Sequence, residues 1–226
     1  MALVLILAAA FLLVALPALW IQRVLDKHAV ERPDLPATGG VFAREALDRL
    51  GLTHVKVEAT ELGNHYDPDA KAVRLEQRFL NGKSLSGTVV AAHEIGHAMQ
   101  HAMALPMFER RLKVAKQAHM FQTVAAAFLF AAPILVLIGK TPAALIINVV
   151  GIAGSLIMSI IVQGMTLPVE FDASFNRALP LLKEGDFIKD RDLPAARNVL
   201  KAAAYTYIAG LLRTLISIPG MGRLPR

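Results

Sequence analysis

Two histidines four residues apart, the first followed directly by a glutamate, are the residues of this sequence best suited to metal chemistry. His93, Glu94 and His97 form an H-E-x-x-H pattern in an apolar stretch. On a helix, residues four apart project from the same face, so both imidazoles can bind one Zn²⁺ ion. Glu94 can act as general base towards a water molecule held by the metal. The pattern predicts the zinc site of a metallopeptidase, with a third ligand supplied from elsewhere in the chain.

The third zinc ligand is expected from a different segment. His101 lies four residues beyond His97, but it lies eight residues beyond His93, a helix rise of about 12 Å. Ligands of one zinc ion lie about 2 Å from it, so a straight helix cannot supply all three histidines. Glu170, near the start of a predicted helix, is the preferred candidate, and Asp172 is a candidate for orienting a zinc-binding histidine. The alternative for Glu170 is a purely electrostatic role at a helix N-terminus.

A second group of polar residues precedes the H-E-x-x-H pattern. His65 and Tyr66 could stabilise the oxyanion that forms during peptide hydrolysis, because both side chains can donate a hydrogen bond. The alternative, which is favoured, is that they belong to a turn around Asp67, in a stretch dense in turn-forming residues. Asn176 is a further candidate for contact with substrate or for support of a ligand.

The composition excludes several classes of site and of protein. The chain has 226 residues, of which 55% are hydrophobic, so it is too apolar for an ordinary soluble domain. It contains no cysteine, which excludes disulfides and leaves His, Asp and Glu as metal ligands. The net charge is +6, but no zinc finger, basic repeat or aromatic-and-basic pattern accompanies it, so nucleic acid is not an expected partner. Excess Lys and Arg is instead typical of cytoplasmic loops beside anionic lipid.

Apolar runs divide the chain into four predicted segments. They are a transmembrane anchor at 1–22, a metallopeptidase domain at 41–119, two transmembrane helices at 120–163 joined by a tight turn at 139–142, and a helical segment at 164–226 that carries the third ligand and an apolar tail. The tail, at 202–218, is either a short fourth membrane segment or an interfacial helix. Lys and Arg are concentrated in 23–119 and after 163, so the positive-inside rule places both regions in the cytoplasm, where they can meet.

The predicted fold class is a mainly α membrane protein with a small zincin-like α+β catalytic domain. Residues 55–59 and 72–76 alternate in hydrophobicity as half-buried strands do, and together they predict a short hairpin. The following helix is predicted to begin between residues 84 and 88 and to end near residue 104. A further helix, beginning near Pro168, is predicted to carry Glu170.

Three blocks of the sequence together resemble the YugP-type neutral zinc metallopeptidases of bacterial membranes. They are residues 90–100 around the histidine pair, residues 65–68 upstream, and residues 168–174 downstream. The resemblance covers nearly the whole chain and implies a gluzincin-like site in which Glu170 is the third zinc ligand. The chain is more distantly similar to the HtpX and Ste24 membrane peptidases, where a glutamate opening an E-x-x-x-D motif binds zinc. Position 174 is serine here, so the role of that aspartate is moved to Asp172 or is absent.

The leading hypothesis is a membrane-anchored zinc endopeptidase that cleaves peptide or protein substrates at the cytoplasmic face of the bacterial inner membrane, in membrane-protein quality control. An edge strand of the hairpin could hold an extended substrate by strand addition. One alternative is an intramembrane protease of the site-2 type, against which the polar Gln100 and His101 beside the motif argue. The other is a non-catalytic membrane scaffold that keeps the metal site. A membrane-protein partner or a homo-oligomer stays open.

Overall fold

The computed structural model, which describes residues 1–139 and 143–216, is mainly helical with a small three-stranded sheet. The elements in chain order are α1 (Ala2–Lys27), α2 (Gly39–Arg49), β1 (Lys56–Ala59), β2 (His65–Asp67), β3 (Ala72–Leu75), α3 (Gln77–Leu80), α4 (Leu85–Ala102), α5 (Pro106–Gly139), α6 (Ala143–Phe171), a π-helical segment (Asp172–Ala178), α7 (Leu179–Glu184), a 3₁₀ turn (Asp190–Asp192) and α8 (Leu193–Ile216). Residues 140–142 of the predicted tight turn, and the end of the apolar tail from residue 217, lie outside the described residues.

The central helix, α4, carries the histidine pair and begins where the sequence predicts. Ser84 has an extended backbone, and its Oγ accepts a hydrogen bond from the Gly87 N–H, so Ser84 is the N-cap. The helix ends at Ala102, slightly earlier than predicted, and Ala104 then takes a left-handed backbone with φ 47°. Nearly all of α4 is buried, with α2, the π segment and α8 packed around it.

The small sheet differs from the predicted hairpin. The two predicted strands, β1 and β3, are neighbours but run parallel, with Lys56 opposite Ala72. The hairpin is formed instead by β2 and β3, and β2 begins at His65, inside the stretch predicted as a turn. The turn itself follows β2, where the Asp67 carboxylate accepts two backbone hydrogen bonds and Lys71 is left-handed with φ 50°. Alternating hydrophobicity indicates which face of a strand is buried but not its direction, so the predicted pairing was wrong.

The sequence predicted that the helix carrying Glu170 begins near Pro168, and this prediction was wrong. α6 runs unbroken to Phe171, so Pro168 lies inside it and Glu170 lies in its last turn. An internal proline costs a helix about 3 kcal/mol, a cost that the packing of α6 against α5 and α8 can offset. Because the π segment continues the helical run beyond Glu170, the alternative of a carboxylate stabilised at a helix N-terminus does not apply.

The π segment packs with its backbone directly on α4. Segments of this kind are rare and often occur at functional sites. A Cβ atom built on Gly96 would lie 2.5 Å from the Ala173 carbonyl oxygen, closer than any real contact allows. Because Gly96 has no side chain, the π segment can approach the helix that carries His93 and His97.

We expect the Gly96→Ala variant to lose stability, by about 1–3 kcal/mol, the usual cost of overpacking a buried contact. The clashing atom belongs to the backbone, so relief requires the whole π segment to shift. Thermal unfolding measures the effect, and Gly164→Ala is the control because no atom lies within 4 Å of its added methyl group. A melting temperature for Gly96→Ala equal to that of the wild type would contradict the close approach.

One helical stretch of the described residues, Val149–Glu184, is long and apolar enough to cross a membrane. Most isoleucine and valine side chains of α6 between residues 146 and 161 are exposed, as expected for a surface that faces lipid. α5 packs along α6, α6 against α8, and α8 against α1. The side chains of residues 2–14 in the predicted anchor lie outside the described part of the structure, and the four-segment membrane layout stays a prediction.

Candidate metal centre

Two histidines of α4 and a glutamate of α6 meet inside the protein. His93 Nε2 and His97 Nε2 lie 3.1 and 3.3 Å from the same oxygen, Oε2, of Glu170. All three side chains are buried, and Glu170 is completely so. Glu94 is buried beside them, and the donor atoms of His93, Glu94 and His97 all lie within 4.8 Å of one another. The structure thus brings together the two histidines and the two glutamates that the sequence singled out.

Each histidine is oriented by a hydrogen bond to its other ring nitrogen. His97 Nδ1 lies 2.9 Å from Gln100 Oε1, an atom that can only accept, so this nitrogen carries a proton. His93 Nδ1 lies 2.9 Å from Ser174 Oγ, and that hydroxyl can donate onward to the Leu200 carbonyl oxygen at 3.4 Å. In both rings Nε2 is therefore the atom left to bind a metal. Partners of this kind are typical of metal-binding histidines.

Gln100 links the histidine helix to the segment that carries Glu170. Its Oε1 accepts from His97, while its Nε2 donates to the Val169 carbonyl oxygen and to Asp172 Oδ2, both at 2.8 Å. Asp172 therefore acts on His97 only through Gln100. The Asp172 carboxylate also accepts hydrogen bonds from Asn176 and Arg177.

Sequence reasoning assigned no role to Gln100 or Ser174. The polarity of Gln100 argues against burial of the motif in lipid, and within the protein its side chain is completely buried, as is that of Ser174. A polar side chain within an apolar helix is expected to be buried and hydrogen-bonded as readily as exposed. Spacing was the available signal, because Gln100 is three residues after His97 and Ser174 occupies the position of the aspartate in the E-x-x-x-D motif.

The two glutamates differ in their electrostatic surroundings. Burial raises the pKa of Glu94, and the nearby Glu170 charge adds to the effect. Burial acts in the same direction on Glu170, but the charge of His97 and hydrogen bonds from both histidines hold the pKa of Glu170 well below its usual range. Burial favours neutral His97, yet Glu170 outweighs it and raises the pKa of His97 to about 9. One carboxylate is thus suited to take up a proton, and the other stays ionised.

The residues present fit a zinc ion. Two imidazole nitrogens and one carboxylate oxygen are a common ligand set of catalytic zinc, which keeps a further position for water or substrate. The second oxygen of Glu170, Oε1, is buried without a hydrogen-bond partner. A buried carboxylate in that condition is costly unless a cation compensates its charge. His93, His97 and Glu170 could therefore hold the metal, with Glu94 beside it.

The other candidate residues lie next to this centre. His65 and Tyr66 are on β2, which packs against α4. His65 Nδ1 is 2.7 Å from the Gly63 carbonyl oxygen, and the ring is close enough to influence the pKa of Glu94. The Tyr66 hydroxyl is 2.9 Å from His101 Nδ1, and burial, with a smaller effect of a neighbouring aspartate, raises the pKa of Tyr66 to about 12. Tyr66 thus stays protonated at neutral pH.

We expect Gln100→Leu to weaken zinc binding about 10–100-fold, the usual cost of losing a residue that orients a metal-binding histidine. Leucine fills a similar volume but leaves His97 and Asp172 without their shared partner. Competition with a chromophoric chelator measures the affinity. The control is Gln117→Leu, on the exposed surface of α5. If both variants bound zinc as tightly as the wild type, Gln100 would have no part in holding the centre.

Comparison with known proteins identifies a family for the chain. Residues 3–221 match the model of a protein family described as "Putative neutral zinc metallopeptidase". Among curated proteins, the chain is similar to the "Putative membrane protease YugP" of Bacillus subtilis (strain 168), with 34% identity over 202 residues that cover 88% of this chain and 85% of that protein. No solved structure shows significant similarity. The resemblance inferred from the three sequence blocks is confirmed.

Proposed function

The chain belongs to the neutral zinc metallopeptidase family, and we propose that it is a zinc-dependent endopeptidase acting at the cytoplasmic face of the bacterial inner membrane. One observation carries the proposal: Glu170, from a distant segment, lies against Nε2 of both histidines of the H-E-x-x-H pattern. A buried group of two imidazoles and a carboxylate, with a second carboxylate beside it, is the arrangement that gluzincin-type chemistry requires.

In this proposal His93, His97 and Glu170 hold the zinc ion. When bound, zinc supplies Lewis-acid chemistry, lowering the pKa of water and polarising the carbonyl group of the scissile peptide bond. Glu94 performs the proton transfers: its carboxylate takes a proton from the attacking water and later delivers it to the leaving amine. The C–O bond to the water oxygen forms first, and the C–N bond breaks once Glu94 has passed the proton to the amine nitrogen, so the proton removed from water leaves with the amine. Burial raises the pKa of Glu94, which makes its carboxylate a stronger base for this exchange.

The edge of β2 is the proposed place for the substrate chain. The strand order is β1-β3-β2, so β2 pairs only with β3 among the described residues and keeps one edge open. β2 packs against α4, which carries Glu94 and the histidine pair. An extended peptide can add to such an edge through main-chain hydrogen bonds. Tyr66 and His65 are then the side chains of this strand best placed to contact the substrate or its oxyanion.

The proposed membrane layout places α1, α5, α6 and α8 across or at the bilayer, with the catalytic domain in the cytoplasm. It is supported by the exposed isoleucines and valines of α6 and by the membrane protease among the relatives. Glu170 is nine residues beyond the last exposed isoleucine, Ile161, a helix rise of about 14 Å. A site at this height suits substrates that are themselves anchored in the bilayer, and we therefore propose a role in membrane-protein quality control. The intramembrane alternative is disfavoured because α2, the sheet and the π segment surround α4.

Metal removal tests the proposal. The purified full chain in detergent should contain about one zinc ion per molecule. It should cleave an unfolded test protein, lose that activity with 1,10-phenanthroline, and regain it when zinc is restored. Protein that holds zinc but never cleaves would favour the non-catalytic scaffold, and protein that binds no zinc would contradict the metal centre itself.

A further inference from the structure

A groove between α1 and α8 lies outside the candidate metal centre. Its volume is about 260 Å³, and its walls are Pro17, Trp20, Lys201 and Tyr205. The Trp20 and Tyr205 rings meet edge to face, with centroids 6.2 Å apart, and Lys201 Nζ lies 5.8 Å from the centre of the Tyr205 ring. The groove thus combines two aromatic side chains with one lysine.

On both helices the groove lies where apolar sequence meets basic sequence. No charged residue precedes Arg23 on α1, and Trp20 is one turn before it. On α8 the order is reversed, because Lys201 is followed by eleven uncharged residues and preceded one turn earlier by Arg197. α1 and α8 pack against each other, and both change from uncharged to basic sequence beside the groove. Trp, Tyr and Lys at such a level are typical of the interface between bilayer and water.

The cations around the groove are open to an anion from outside the protein. Lys201, Arg197 and Arg23 are all exposed. Within the part of the chain that the structure describes, Lys201 contacts the face of Tyr205, and none of the three forms an ion pair. A cation beside an aromatic ring, at the height of lipid headgroups, attracts anionic headgroups.

We propose that this groove binds the headgroup of an anionic phospholipid from the surrounding bilayer. The phosphate lies at Lys201, and the glycerol region lies against Trp20 and Tyr205. The groove has the volume of roughly nine water molecules, which suits a headgroup. A lipid is the occupant, rather than a soluble anion, because Trp20 and Lys201 lie where the uncharged stretches of α1 and α8 meet basic sequence.

The groove also contacts the elements that hold the candidate metal ligands. Tyr205 meets Phe171 edge to face at 5.9 Å, and Phe171 directly follows Glu170. The Leu200 carbonyl oxygen, next to Lys201, accepts a hydrogen bond from the Ser174 hydroxyl. A bound lipid thus stabilises the position of α8 on which both contacts depend. The binding of lipid rests on the membrane layout of the proposed function but not on its peptidase activity, on which any effect on peptide cleavage depends.

Binding of fluorescent phosphatidylglycerol to the full chain in detergent tests the site. Lys201→Gln should lower the affinity about fivefold, the effect of one basic residue at an anionic surface, and Lys201→Arg should retain it. The matched control is Lys113→Gln, which removes the same charge from the exposed surface of α5 close to the predicted membrane boundary. Phosphatidylglycerol should also raise the melting temperature of the wild type more than that of Lys201→Gln.

Equal losses of affinity for phosphatidylglycerol in Lys201→Gln and Lys113→Gln would mean that the lipid is attracted diffusely to the basic surface, and this result would overturn the groove site. Displacement of the lipid by inorganic phosphate at low concentration would assign the site to soluble anions and would overturn it as well. Trp20→Leu removes one aromatic side chain of the groove but no charge, and it should also weaken lipid binding. It replaces Lys201→Gln as the test if that variant does not fold. These measurements need neither zinc nor substrate, so their failure is distinct from a failure of the proposed function.

Discussion

Glu94→Gln should lower kcat by about three orders of magnitude while zinc stays bound, because general acid–base catalysis of this kind contributes about 10²–10⁴-fold. Glutamine has nearly the shape of glutamate but cannot take a proton from water or deliver one to the leaving amine. His93, His97 and Glu170 are unchanged in this variant, and KM should change little because the substrate edge on β2 is also unchanged.

The measurement is steady-state cleavage of an unfolded test protein, with the zinc content of the same preparation determined in parallel. Glu61→Gln is the matched control, because that glutamate is exposed. A Glu94→Gln variant that cleaved at the rate of the wild type would remove Glu94 from the reaction. Loss of zinc together with activity would instead place Glu94 among the ligands and require a different proton carrier.

Glu170→Gln should weaken zinc binding more than about 100-fold, because losing a residue that only orients a ligand already costs about 10–100-fold. The substitution removes the negative charge that faces both histidines. At a free zinc concentration about 100 times the wild-type Kd, zinc should stabilise the wild type by about 2.7 kcal/mol and the variant by less than about 0.5 kcal/mol. The readout is the zinc-dependent shift in melting temperature, which requires no catalytic activity.

The control for this variant is Glu184→Gln, on the exposed surface of α7. Wild-type zinc affinity in Glu170→Gln would mean that the carboxylate is near the ion without binding it. The zinc-free forms of wild type and variant should differ less than the zinc-bound forms, because the lost carboxylate has one buried oxygen without a partner.

Local spacing made the centre of α4 predictable from the sequence. The four-residue separation of His93 and His97 is a property of any helix, and the Ser84 N-cap is a contact between residues three apart. The role of Glu170 was harder to predict. Its position in the sequence was also compatible with an electrostatic role at a helix N-terminus, and only the family resemblance favoured a zinc ligand. The geometry of α6 removes that alternative, since Glu170 is not at a helix N-terminus.

Contacts between segments distant in the chain could not be predicted from the sequence patterns. The parallel pairing of β1 with β3 depends on the relative direction of the two strands, and alternation carries no information about that. The uninterrupted passage of α6 through Pro168 depends on tertiary packing that outweighs a local cost. The hydrogen bonds from Gln100 to Val169 and between Ser174 and His93 join residues 69 and 81 positions apart, so they became apparent only with the fold.

The central claim is that one zinc ion is bound by His93, His97 and Glu170, and anomalous diffraction from crystals of the zinc-loaded protein tests it most directly. We predict a single anomalous peak with His93 Nε2, His97 Nε2 and a Glu170 oxygen as its protein ligands, each at about 2.0–2.2 Å. A Glu170 side chain turned away from the peak, with His65 or Asp172 bound to the metal in its place, would contradict the account.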